Sequence, residues 1–248
     1  LQNNVARQAQ RLRLFEVGLC FRPDGPTGNG ALEQELTVGG LLWGDSEPEG
    51  WSAKARGVDF FDAKGDVERL LQMLGVSSAR GAQVEFVKGS HPVYHPGQYA
   101  ELIEHSGDAT RVIGRVGRLH PEVEERMGTN SPAYAFELLA DAVLHNQKPT
   151  YTSVSKFPSV RRDLAIVVQD TVTAGTIEGI CRAAVGENLV DFTFFDVYVG
   201  KGIDSNEKSV AIGLTLQAPS ATLTDAEIGR FMQRVIDALA DQAGARLR

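Results

Sequence analysis

The stretch Ser209 to Gln217, SVAIGLTLQ, decides the fold of the C-terminal half. Val210, Ile212, Leu214 and Leu216 alternate with Ser209, Ala211, Gly213, Thr215 and Gln217. That is the period of a strand with one face in a core and the other small and mildly polar. Working outward, LVDFTFFDVY (189–198) is rich in Val, Phe and Thr and meets it across the Gly200–Asn206 turn, so the two predict an antiparallel pair. FPSVRRDLAIVV (157–168) reads as an earlier strand ending at Gln169-Asp170. Between them, Thr173 or Thr171 caps a helix carrying Ile177, Ile180, Cys181 and Ala184, with Gly186 as its stop. Downstream, Thr224 and Glu227 form a capping box ahead of Ile228, Phe231, Met232, Val235, Ile236 and Leu239 at helical spacing. Ala245 to Arg248 closes the series as a short strand. The order β-α-β-β-α-β is the split βαβ arrangement of a ferredoxin-like fold.

Upstream of this domain (156–248), a polar, Pro-containing linker (149–155) separates it from a first domain (1–148). Here FEVGLCF (15–21) and Leu36 to Trp43 predict strands around a Gly/Pro loop at Pro23–Gly30. VDFFDAKGDVERLL (58–71) runs into a helix carrying Val67, Leu70, Leu71 and Leu74. Tyr99–Glu104, Arg111–Val116 and Ala135–Leu139 supply further strands, and Pro121 opens a short helix ending at Gly128. The whole is α+β with an antiparallel sheet. Asn3 to Arg11 reads as the end of a helix entering a strand, which predicts a piece of a longer chain.

With 42% hydrophobic and 23% charged residues among 248, a packed globular protein is expected rather than disorder. No run approaches a membrane span, and a cytoplasmic protein with no membrane partner is expected. Cys20 and Cys181 stand too far apart in sequence for a disulfide framework, and both are expected to be buried small hydrophobes. A net charge of -7 argues against nonspecific grip on nucleic acid, so any RNA contact must be local and shaped.

Several segments, in order along the chain, resemble the β subunit of bacterial phenylalanyl-tRNA synthetase: FEVGLCF, VDFFDAKGDVERLL, HPGQYAELI (95–103) and GRVGRLHPEVEERMG (114–128). FPSVRRDLAIVV, FDVYVGKGIDSNEKSVAIGLTLQ (195–217) and LTDAEI (223–228) resemble that family's ferredoxin-fold anticodon-binding domain. The resemblance implies an enzyme of two α and two β chains that joins phenylalanine to tRNA(Phe), with ATP and magnesium used by the full enzyme and none held by this fragment. It implies that the α subunit holds the active site, and that residues 1–148 form a catalytically inactive class II synthetase-like module packed on it. The residues agree with silence: the Arg motifs that neutralise the ATP phosphates in class II enzymes are missing, since Arg22 precedes Pro23-Asp24 and Arg115 and Arg118 flank Gly117 without the Gly-rich spacing.

Within the anticodon-binding domain, Tyr198 ends a strand beside a turn with Lys201 and Lys208. An exposed Tyr can stack on a splayed base for about 1–3 kcal/mol while nearby ammonium groups reach phosphates; a Tyr packing over the turn is the structural alternative. The resemblance singles out Tyr198 and Ser209 as the first contacts. Arg162 and Asp163, on opposite faces of their strand, either read RNA or brace Asp196 and Lys208. Zinc at His91 and His95 is disfavoured by Pro92 and Pro96, and His120 is expected as a helix-cap neighbour or a core hydrogen-bonder rather than a general base. The competing reading is an amino-acid-binding regulatory module of ferredoxin-like fold, which would need a Gly-rich loop after the first strand; Gln169 to Gly175 has one Gly. A third, an active first domain, would show ATP–pyrophosphate exchange.

Overall fold

The computed structural model describes residues 1–23, 32–51, 54–76, 83–106, 109–129, 131–144 and 154–248. The chain forms two compact units, Leu1–Thr150 and Tyr151–Arg248. Most of the expected Gly/Pro loop and of the 149–155 linker lies outside the described residues.

In the first unit the order is α1 (Gln2–Ala6), β1 (Arg11–Pro23), β2 (Leu32–Gly44), α2 (Phe60–Met73), β3 (Gln83–Val87), β4 (Tyr94–Ser106), β5 (Ala109–Leu119), α3 (Pro121–Arg126), β6 (Ala133–Leu139) and α4 (Ala140–Val143). The strands make one antiparallel sheet, β1-β2-β6-β5-β4-β3. β3 is absent from the sequence reading: five residues at a sheet edge carry too little period to be told from a loop.

Helix α2 starts at Asp59 because two carboxylates satisfy its first donors. Asp59 accepts from the N–H groups of Phe61 and Asp62, and Asp62 accepts from Asp59 N–H at 2.9 Å. The Arg56 guanidinium grips Asp62 at 2.6 and 2.8 Å and holds its carboxyl below the usual range. Ala63, Val67 and Leu71 on the inner side pack over Leu102, Ile113, Val116, Phe136 and Leu138. Gly40 lets this layer close: a Cβ there would lie 2.2 Å from the Phe136 ring.

The β1–β2 hairpin outruns that cover. β6 pairs with β2 only over Thr37–Trp43, whereas β1 pairs with it from Gly44 to Leu32. Phe15, Val17, Leu19 and Phe21 continue the α2-covered face of β1 into solvent, 82%, 53%, 53% and 58% exposed. Cys20 is exposed too, against the expectation of burial: it lies on the opposite face of β1, level with Glu35, where the hairpin has also run beyond β6. Cys181 is fully buried, and burial pushes its thiol up to about 12.

At the other end of the sheet His120 is itself the N-cap of α3, its Nδ1 accepting from Glu122 N–H at 3.3 Å, with Pro121 next. Arg118 donates two parallel bonds to the buried Glu124 carboxylate, at 3.0 and 2.7 Å, and Ala133 N–H adds a third at 2.9 Å. Burial alone would raise Glu124; the Arg118 and Ala133 donors outweigh it and bring the carboxyl below its ordinary value.

The second unit runs β7 (Val160–Gln169), α5 (Ala174–Val185), β8 (Leu189–Tyr198), β9 (Glu207–Leu216), α6 (Asp225–Ala243) and β10 (Arg246–Leu247), in an antiparallel sheet ordered β10-β7-β9-β8. Thr173 caps α5, Gly186 ends it with φ +68°, and the Thr224–Glu227 capping box opens α6. Val210, Ile212, Leu214 and Leu216 of β9, none more than 2% exposed, pack with Ile177, Ile180, Cys181 and Val185 of α5 and Ile228, Val235 and Leu239 of α6. Both helices therefore lie on one side of the sheet.

Two stability outcomes follow. Leu239→Ala, at the centre of the second core, is expected to cost about 2–5 kcal/mol in urea unfolding. A folded-state carboxyl held below its ordinary value contributes stability above the unfolded pKa of about 4.3 and loses it as pH falls further. Glu124→Gln should thus lower the first unit's urea midpoint at pH 7, by about 2–3 kcal/mol, and the gap to the parent should close in acid.

Candidate nucleic-acid interface

Strand pairing fixes what the uncovered side of the second sheet carries. Thr215, Gly213, Ala211 and Ser209 of β9 lie opposite Arg161, Asp163, Ala165 and Val167 of β7, and opposite Asp191, Thr193, Asp196 and Tyr198 of β8. On the outer side of β7, Arg246 pairs with Val167, and Arg248 N–H reaches Ala165 O at 3.1 Å. Alternation along each strand puts these side chains on the face away from α5 and α6.

Tyr198 is held in place by its surroundings. Its hydroxyl donates to Lys201 O at 3.2 Å, and Gly200 tucks beneath it with φ +154°, where a Cβ would come within 3.0 Å of the hydroxyl. The Arg248 guanidinium stands 5.2 Å from the ring centroid and donates to Ser209 Oγ at 3.4 Å. Tyr198 keeps 37% exposure while Ser209 keeps 3%. Ser209 is therefore covered rather than presented, because Arg248, just past the last strand, lies across it.

The other sequence candidates separate by face. Asp163 is on the open side, where it accepts from Arg161 Nε at 2.8 Å; it braces Arg161 rather than Asp196 or Lys208. Arg162 is on the helix side, 3.9 Å from Asp225. Lys208 is also on the helix side, its ammonium donating to the carbonyls of Asp170 and Val172 at 2.8 and 2.6 Å and so holding the turn into α5. Lys201 is exposed in the β8–β9 turn. Three arginines were not among the candidates: Arg161, which lies over Phe195 at 5.5 Å, Arg246, bonded to Glu207, and Arg248. Only the pairing of β10 with β7 brings the chain's last residues onto this face, a long-range relation that local period does not carry.

The first unit offers a cleft of about 450 Å³ whose lining includes Glu35, Thr37, Arg111, Arg115, Glu137 and Asp141. Arg111 there is bonded to Asp141 at 2.9 Å. His91 and His95 lie outside any helix, and the described residues hold no group of three or more His, Cys, Asp or Glu side chains that could bind a metal. No described helix is long and apolar enough to cross a membrane.

A ferredoxin-like sheet with one helix-covered face and one face of aromatic, arginine and small residues is the architecture of a class of RNA-binding domains, and residues 155–248 match the family model described as Ferredoxin-fold anticodon binding domain. Residues 1–140 match the Phenylalanyl tRNA synthetase beta chain CLM domain. The chain is 42% identical over 250 residues to a phenylalanine–tRNA ligase beta subunit of Pseudomonas fluorescens, 44% over 248 to that of Methylococcus capsulatus and 40% over 246 to that of Vibrio cholerae. These alignments cover 99–100% of this chain and 30% of each relative. The chain belongs to the phenylalanine–tRNA ligase β-subunit family, and spans about a third of the length of the curated relatives it matches.

Because Lys208 ties two backbone carbonyls, Lys208→Ala is expected to lower the second unit's stability by about 1–3 kcal/mol in urea unfolding.

Proposed function

We propose that this chain serves a phenylalanine–tRNA ligase as a binding and scaffolding part, its second unit holding the anticodon region of tRNA(Phe) on the open sheet face. The observation that carries this reading is the opposition of the two faces: α5 and α6 fill one with aliphatic side chains, while the other presents a fixed, part-exposed Tyr198 among small residues. A splayed base can lie closely on such a surface and stack on the ring. The match of residues 155–248 to the anticodon-binding family supports the choice of ligand.

The first unit is read as a catalytically silent, class II synthetase-like module that docks on the catalytic α subunit of an α2β2 assembly in the cytoplasm. ATP and magnesium then act at the α subunit. Two features support silence and docking. Arg118, one of the two arginines around Gly117, is committed to Glu124. The stripe Phe15, Val17, Leu19, Phe21 with Leu36 is a contiguous exposed apolar surface of the sort that a protein partner covers.

The test is binding of tRNA(Phe) to the whole chain at low salt. Tyr198→Ala should weaken it by about 1–3 kcal/mol under conditions where parent and variant are both folded; equal affinity for the two would remove the stacking role.

A further inference from the structure

On the open face, four residues along β9 from the Tyr198–Ser209 pair, Gly213 sits beneath a second cation–aromatic group. A Cβ at Gly213 would lie 2.7, 2.9 and 2.9 Å from Nη2, Cζ and Nε of Arg161. Three guanidinium atoms at nearly equal distance from that one point place it off the guanidinium plane, so a face rather than an edge is turned to Gly213. Any side chain there would lift it. Asp163 accepts from Nε at 2.8 Å, and Cζ stands over the ring of Phe195 of β8, 5.5 Å from its centroid. The carboxylate thus fixes one edge, while half of the side chain's area stays exposed to solvent.

Flat guanidinium planes stack on nucleobases much as aromatic rings do, and they add a cation that a ring lacks. Four residues of strand separate the two groups by about 13 Å, and a splayed loop can bridge that with two of its bases. The small Ala211 lies between them. Asp163 and Asp196 on the same face disfavour loose phosphate binding, which leaves stacking as the contact that this guanidinium is built to make.

We infer that the guanidinium plane of Arg161, laid over Gly213 and braced by Asp163, is a stacking platform for a second base of the anticodon loop, separate from the one met by Tyr198. The inference rests on the reading of this face as the anticodon site. Its test is fluorescence anisotropy of the 248-residue chain with a labelled anticodon stem-loop RNA of tRNA(Phe) at low salt. Arg161→Ala is expected to weaken binding about five- to 150-fold, the usual range for one stacked base. Arg161→Lys keeps the charge without the plane and should lose nearly as much. Gly213→Ala displaces only a flexible side-chain end, so it should weaken binding while leaving the urea midpoint in place.

Parent-like binding by Arg161→Lys would make the residue a point charge and overturn the platform. Parent-like binding by Arg161→Ala, with Tyr198→Ala weakened, would overturn it while the face reading survives. No binding by the parent chain, or none of these variants differing from it, would remove the face reading and the platform with it. A change in subunit association without a change in RNA affinity would mark Arg161 as a protein contact and likewise overturn the inference.

Discussion

The second unit depends on one-sided burial of β9. Four aliphatic side chains, Val210, Ile212, Leu214 and Leu216, are removed from water by two helices that meet over the sheet. At roughly 25 cal/mol per Å² of apolar area, each such side chain stabilises the fold by about 1.5–3 kcal/mol. A strand slip of one residue would turn all four outward, so the register is fixed, and with it the identity of every group on the other face. The core thereby selects which side chains stand on the open face: Tyr198, Arg161 and Arg248 around Ser209, Ala211 and Gly213.

The first unit applies the same rule with a different outcome. A 14-residue helix reaches only about 21 Å, and β1 pairs with β2 along thirteen residues. The sheet continues where the helix has stopped, and its apolar stripe continues with it. What is core beneath α2 becomes surface near Phe15 to Phe21, offered to another protein in the proposed assembly. At the opposite end the Arg118–Glu124 pair anchors α3.

The fold of the second unit was legible because its signals are local: alternation in 209–217, Thr173 and the Thr224–Glu227 box as caps, Gly186 as a stop. In the first unit the helix over 58–71 and the short helix at Pro121 were equally plain, while the edge strand β3 lacked any period, and the apolar run around Cys20 looks the same whether or not neighbouring strands extend beside it. At the candidate site, sequence, through the alternation along β9, reached the identity of the open face, at whose end Tyr198 stands. It did not reach Arg248 or Arg161, whose roles depend on β10 pairing with β7 and on a side chain reaching across a neighbouring glycine. It also set Lys208 and Arg162 among the RNA contacts, where parity along β9 and β7 turns both toward the helices.

The central claim is that RNA meets the sheet on the face away from α5 and α6. Methyl-resolved NMR of the whole chain, titrated with the anticodon stem-loop of tRNA(Phe), tests it directly. The account expects the methyl signals of Ala165, Ala211, Thr193 and Thr215 to move and those of Ile228 and Leu239 to stay. Movement confined to methyl groups of α5 and α6 would contradict it.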